Sequence, residues 1–197
     1  MTRDSGLALV DMEAGRVKTL YPGTYHDAVF AGAVGEPGSI VAIRSMVAGK
    51  DPMGDSLVVH RSDAAEPETT RPFPFRLHDL AASPDRSLVA LAGGDGDIRI
   101  LRAGRLEDLH RFRAHDDEIT AVTFHPQLRI VASASNDGCL KLWDYENARL
   151  LASHYGPTGA VVMLDFSPNG KLLVAECQDE ATRIYEIGNL GGERNGR

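Results

Sequence analysis

The stretch AHDDEITAVTFHPQLRIVASASNDGCLKLWDYENARLLASH, Ala114 to His154, decides how the rest of the chain reads. It opens with a histidine, His115, and continues with two apolar runs that alternate with small or polar residues. Such period-two alternation predicts half-buried β-strands. Between the second and third runs stands Asn136-Asp137-Gly138, a hairpin signal because its backbone needs a glycine. The third run ends in Trp143-Asp144, and a last short strand follows.

Sliding the chain against itself shows that this stretch is a repeat unit. A shift of 42 residues places Ser83-Pro84-Asp85 on His125-Pro126-Gln127 and on Ser167-Pro168-Asn169, with no gap. The same shift aligns Asp95, Asp137 and Asp179, and sets Ile100-Leu101 on Leu142-Trp143 and on Ile184-Tyr185. A looser copy lies earlier, with Ser39–Val47 as its second strand and Ser56–Arg61 as its third. Before it stands half a copy, in which Asp11, Glu13 and Arg16 match Asp144, Glu146 and Arg149.

A repeat of this length, with its histidine and its Trp-Asp ending, resembles the WD-repeat (WD40) β-propeller family. The resemblance covers roughly residues 6 to 190. It implies an all-β chain of antiparallel blades, each with strands a to d, set around a central channel. The expected architecture is about four such blades plus an N-terminal half-blade. The boundaries are 1–25 for the half-blade, then 26–72, 73–112, 113–155 and 156–190, all in one domain, with 191–197 as a flexible tail. The last copy holds strands a to c only. Three arrangements answer that count: part of a longer propeller, a head-to-tail dimer completing an eight-bladed ring, or completion by another subunit. Open strand edges are the reason to expect one of them.

Composition bounds the function. The 197 residues carry 20 Gly and 10 Pro, which suits short strands and tight turns. The net charge of −7 argues against general nucleic-acid binding, which needs a basic face. The two cysteines, Cys139 and Cys177, form neither a disulfide framework nor a zinc motif and read as buried apolar residues. The histidines lack metal-ligand spacing, and Gly93-Gly94-Asp95-Gly96 lacks the Lys-Ser/Thr and the helix of a phosphate loop. Hence no metal, no cofactor and no catalytic residue is expected. With neither a signal peptide nor a run of about 18 apolar residues, no membrane contact is expected and the location reads as intracellular, cytoplasmic or nuclear.

The resemblance also implies a hydrogen-bonded tetrad, carried by register onto His115, Ser133, Asp137 and Trp143. A buried indole and a buried imidazole both need partners, and a relay ending in a carboxylate supplies them. The neighbouring copies have Leu91 and Ala175 at the serine position, and Leu101 and Tyr185 at the tryptophan position. Those blades are expected to hold by apolar packing alone. Sorting turn charges by propeller face puts Asp95, Asp97, Asp116, Asp117, Glu118, Asp137, Asp179 and Glu180 on one rim, with little basic company. The opposite rim collects Arg16, Arg86, Arg102, Arg105, Arg129, Arg149 and Lys171, against Glu13, Asp85 and Glu146. The expected function is a non-enzymatic scaffold for protein–protein interaction in a multisubunit complex, its acidic rim recruiting a basic peptide or tail. Two alternatives are a regulatory or sensor module of a larger assembly and a propeller enzyme. The enzyme would need groups converging on the channel, where strand a offers only His78, Asp79 and Asp165.

Overall fold

The computed structural model describes residues 6–11, 16–22, 25–30, 39–45, 54–61, 69–156 and 160–188. Among these residues the chain is all strand and turn. A hairpin comes first, β1 (Gly6–Asp11) with β2 (Arg16–Pro22). The first blade follows as β3 (Tyr25–Phe30), β4 (Ser39–Ser45), β5 (Asp55–Arg61) and β6 (Thr69–Pro72). The second is β7 (Leu77–Ala82), β8 (Leu88–Gly93), β9 (Asp97–Arg102) and β10 (Asp108–Arg113). The third is β11 (Ile119–Phe124), β12 (Ile130–Ser135), β13 (Cys139–Asp144) and β14 (Arg149–Tyr155). The last has three strands, β15 (Val161–Phe166), β16 (Leu172–Cys177) and β17 (Thr182–Glu186). Every pair is antiparallel and neighbouring in sequence, which gives a propeller-like series of blades.

The register repeats with the sequence period. Val89 pairs with Leu101, Val131 with Trp143 and Leu173 with Tyr185, each 42 residues beyond the last. Strand a of every blade also carries an irregularity after its first residue, as at Leu77/Asp79, Ile119/Ala121 and Val161/Met163. A bulge of this kind adds twist and bends the strand.

Alternation along each strand sends one set of side chains to the preceding blade and the other to the next. Val89, Leu91 and Leu101 of the second blade meet Val41, Ile43 and Leu57 of the first. Ala90, Ala92 and Ile100 of the same strands meet Ile119, Val122 and Trp143 of the third. Ala132, Ala134 and Leu142 then meet Leu164, Leu173 and Ala175 of the last blade. Alanines on one face and larger residues on the other allow close approach without voids. Each fully buried Leu, Ile or Val in these layers contributes about 1.5–3 kcal/mol.

The expected tail 191–197 lies outside the described residues. Cys177 is buried and Cys139 half-buried, and both are free thiols.

Candidate functional site

The third blade holds a continuous polar relay. His115 lies just before β11, Ser133 on β12, Asp137 in the turn after it and Trp143 on β13. His115 Nδ1 is 2.9 Å from Asp137 Oδ2, and its Nε2 is 2.8 Å from Ser133 Oγ. Trp143 Nε1 donates to the same Ser133 Oγ at 3.2 Å. Burial pushes the His115 pKa down, against the pull of Asp137, so the ring is neutral at pH 7. Only one proton arrangement then satisfies every atom. The Nδ1–H donates to the carboxylate, the Ser133 hydroxyl donates to Nε2, and the indole N–H donates to the hydroxyl oxygen. Burial alone would raise Asp137, but the His115 bond and the Cys139 N–H hold its pKa below the usual carboxylate value. Ser133 is 0% exposed and His115 1%, so the serine and the histidine are enclosed within the blade.

The relay also fixes the loop in front of it. Asp116 N–H donates to Asp137 Oδ2 at 3.2 Å, and Lys141 Nζ donates to the Ala114 carbonyl at 2.9 Å. Asp117 Oδ1 accepts the Glu118 N–H at 2.8 Å. On the far side of the same turn, Tyr155 at the end of β14 is 78% exposed, with its ring over Gly138. The sequence reading passed over Tyr155, since nothing in a strand-d ending marks an aromatic as exposed.

Two expectations are corrected. The second and last blades do not rest on apolar packing alone. Arg99 grips Asp95 with both guanidinium nitrogens, Nη1 at 3.0 Å, although Arg99 is only 4% exposed. Its guanidinium also stacks 5.0 Å from the Phe75 ring and 5.7 Å from that of Phe73, which stands at the His115 position of its repeat. Arg183 grips Asp179 the same way, at 3.1 and 2.7 Å. A cation four residues after the turn aspartate thus replaces the histidine.

For the same reason the rim is not short of basic company. Arg111 Nε donates to Asp97 at 2.7 Å, and Arg113 donates to the Asp95 carbonyl. Together with Arg99 and Arg183, these neutralise Asp95, Asp97 and Asp179. Asp116 and Asp117 differ: both are exposed, and among the described residues no Lys or Arg side chain lies within ion-pair distance of either carboxylate. Glu118 meets His78 at 3.2 Å. Glu180 sits in the last b–c turn with φ 62, where the equivalent turns have Gly96 and Gly138 at 72 and 81.

The polar groups of strand a do not converge. His78 turns to Glu118, Asp79 Oδ2 accepts the Val122 N–H of the next blade at 2.7 Å, and Asp165 is exposed. Among the described residues no His, Cys, Asp or Glu group is arranged to hold a metal. No helix is long and apolar enough to cross a membrane among them. On the opposite rim, Arg129 pairs with Glu146 at 2.5 Å and Arg149 with Asp144 at 3.7 Å. There the a–b turns of the last two blades are tied together. His125 Nδ1 accepts the Gln127 and Leu128 N–H groups at 3.1 and 3.0 Å, so its Nε2–H donates to the Gly170 carbonyl at 3.1 Å.

Comparison with known proteins agrees with this geometry. The profile of the WD domain, G-beta repeat, matches residues 106–144, most of the blade that holds the relay. WD repeat-containing protein 90 of Xenopus tropicalis is 31% identical over 113 residues, 57% of this chain and 6% of that protein. Nuclear distribution protein PAC1 of Arthroderma benhamiae is 43% identical over 82 residues, 41% of this chain and 18% of that protein. PAC1 of Arthroderma otae is 40% identical over the same length. The chain spans under a fifth of the length of these curated relatives. Residues 106–144 thus match a WD repeat, and the 42-residue register of three successive blades is similar to that repeat.

Proposed function

We propose that the chain is a non-enzymatic interaction scaffold that holds a basic protein segment on the rim of its third blade. One observation carries the reading: Asp116 and Asp117 are exposed carboxylates without an internal cation among the described residues, on a loop anchored to a buried relay. Two fixed, unpaired negative charges cost no reorganisation when a Lys or Arg arrives. Glu118 extends the acidic surface, and the exposed Tyr155 ring offers a cation–π face on the other side of the turn. Asp95, Asp97 and Asp179 belong to the frame rather than to the contact, because their arginines already hold them; Glu180 stands at the margin of the patch. An intracellular site, cytoplasmic or nuclear, fits the two free thiols. Service in a multisubunit complex fits the same reading.

The test uses a fluorescent oligo-lysine peptide titrated into the chain at two salt concentrations. Binding should weaken with salt, and reversing Asp116, Asp117 and Glu118 to lysine should weaken it by about tenfold or more. Reversal of Asp179, an internally paired residue, should change it much less. Affinity indifferent to both salt and the triple reversal would sink the reading.

A further inference from the structure

The rim opposite Asp116 and Asp117 is charge-paired in the third blade and not in the second. In the third, Arg129 pairs with Glu146 and Arg149 with Asp144. Asp144 also builds the turn after β13, accepting the Asn147 N–H at 3.3 Å and the Asn147 Nδ2 at 2.9 Å. Arg102 has the place of Asp144 in the second blade, since it faces Leu88 as Asp144 faces Ile130. The turn there closes through its backbone instead. The Leu106 N–H donates to the Arg102 carbonyl at 2.8 Å, and the Arg102 N–H to the Glu107 carbonyl at 3.0 Å. The Arg102 side chain therefore has no part in the turn. It is exposed, with no ion pair or hydrogen bond among the described residues.

Arg86 repeats the pattern in the turn alongside. Its N–H donates to the Ser83 carbonyl at 2.8 Å, as the Gly170 N–H does to the Ser167 carbonyl. Both residues are left-handed, with φ 61 for Arg86 and 68 for Gly170. Glycine holds that conformation freely, whereas a residue with a side chain gives up about 1 kcal/mol. Arg86 is thus strained, exposed and, among the described residues, unpaired. Strain of this kind gathers where function maintains it. The Ala103 N–H donates to the Ser87 carbonyl at 3.0 Å, so the turns carrying Arg86 and Arg102 lie side by side. Asp85 is taken by the Ser83 and Ser87 hydroxyls, at 2.6 and 2.8 Å. Arg105 adds a third cation, 4.0 Å from Glu107. Guanidinium forks without an internal carboxylate match the planar carboxylates of Asp and Glu. The patch is too short to follow a phosphate backbone, and the chain as a whole carries −7. We propose that Arg86 and Arg102 dock an acidic segment of a protein partner. The scaffold then holds two segments of opposite charge on opposite rims.

A fluorescent oligo-glutamate peptide titrated into the whole chain at two salt concentrations tests this. Binding should be present at low salt and weaken as salt rises. Arg86→Gly and Arg102→Asp each install the residue of an equivalent blade, and together they should weaken binding by about tenfold or more. Arg86→Gly alone should leave the melting temperature unchanged or raise it, so its loss of affinity is separable from unfolding. Oligo-lysine binding, measured separately, should be unmoved by the pair, which keeps failure on this rim distinct from failure on the acidic one. No oligo-glutamate binding at low salt would overturn the proposal, as would binding that the pair does not change. A single-stranded oligonucleotide that binds more tightly than the peptide, and is weakened by the same pair, would overturn the acidic segment as the occupant.

Discussion

The third and last blades share a register residue for residue, yet they solve the same internal problem differently. In the third, Trp143 hands its N–H to Ser133, and the chain of bonds ends on Asp137. In the last, Ala175 and Tyr185 take those places, and the Tyr185 hydroxyl is buried without a hydrogen-bond partner among the described residues. There Arg183 holds the turn aspartate from the strand. The difference teaches that apolar alternation sets the blade, while the turn aspartate needs only a donor at its side. Histidine, lysine and arginine all serve, as Asp137 and Asp179 show.

The comparison breaks most visibly at the aromatic position. Trp143→Ala removes a large core side chain and the N–H donated to Ser133 Oγ, so urea unfolding should show a loss of about 3–5 kcal/mol. Tyr185→Ala, half-buried and without a hydroxyl partner, should lose clearly less. Equal losses would mean that the relay adds nothing to packing.

Acid should act next, and on the blades before the last. His60, His115 and His125 all have folded pKa values below the ordinary 6.5, pushed down chiefly by burial, and for His60, where Arg44 adds to it, to about 4. The unfolded chain therefore binds protons that the folded chain refuses. Stability is full above pH 6.5 and falls as the pH drops from there toward 4. The lowered Asp137 and Asp144 add a further loss below the ordinary carboxylate value of 3.8. Melting temperature across this range should decline, and a flat profile would refute the neutral histidines.

Ser133→Ala makes the third blade resemble the last at one atom. It leaves the indole N–H and His115 Nε2 buried without a partner, at a cost of about 1–3 kcal/mol. A double substitution with Trp143→Phe should cost less than the sum of the singles.

The smallest effects lie in the turns. Gly138→Ala puts a Cβ at φ 81 and 3.1 Å from the Tyr155 ring, whereas Glu180→Gly relieves a side chain already at φ 62. The first should cost about 1 kcal/mol and the second should be neutral or slightly stabilising. Opposite signs in thermal melts would separate the two turns.

Much of the fold was legible because a strand's period of two and a turn's glycine both survive in single residues. The 42-residue shift read from Ser83-Pro84-Asp85 onward is the register of the strands themselves. The rim was misread because charges were sorted by turn alone. Arg99, Arg111, Arg113 and Arg183 lie on strands, and their long side chains reach the turn carboxylates. The spacing that would have revealed part of this was present: Asp95 and Arg99, Asp137 and Lys141, Asp179 and Arg183. Tyr155 and the positive φ of Glu180 had no such signal, since exposure and backbone handedness depend on the neighbours.

The Asp79 carboxylate has a use beyond holding two blades together. It caps the Val122 amide on the side of β11 turned away from β12, so that proton is shielded only while β7 and β11 stay side by side. Its exchange with deuterium should therefore follow the parting of the second and third blades, even where each sheet stays intact. The molecule contains its own gauge of blade separation, readable at one amide.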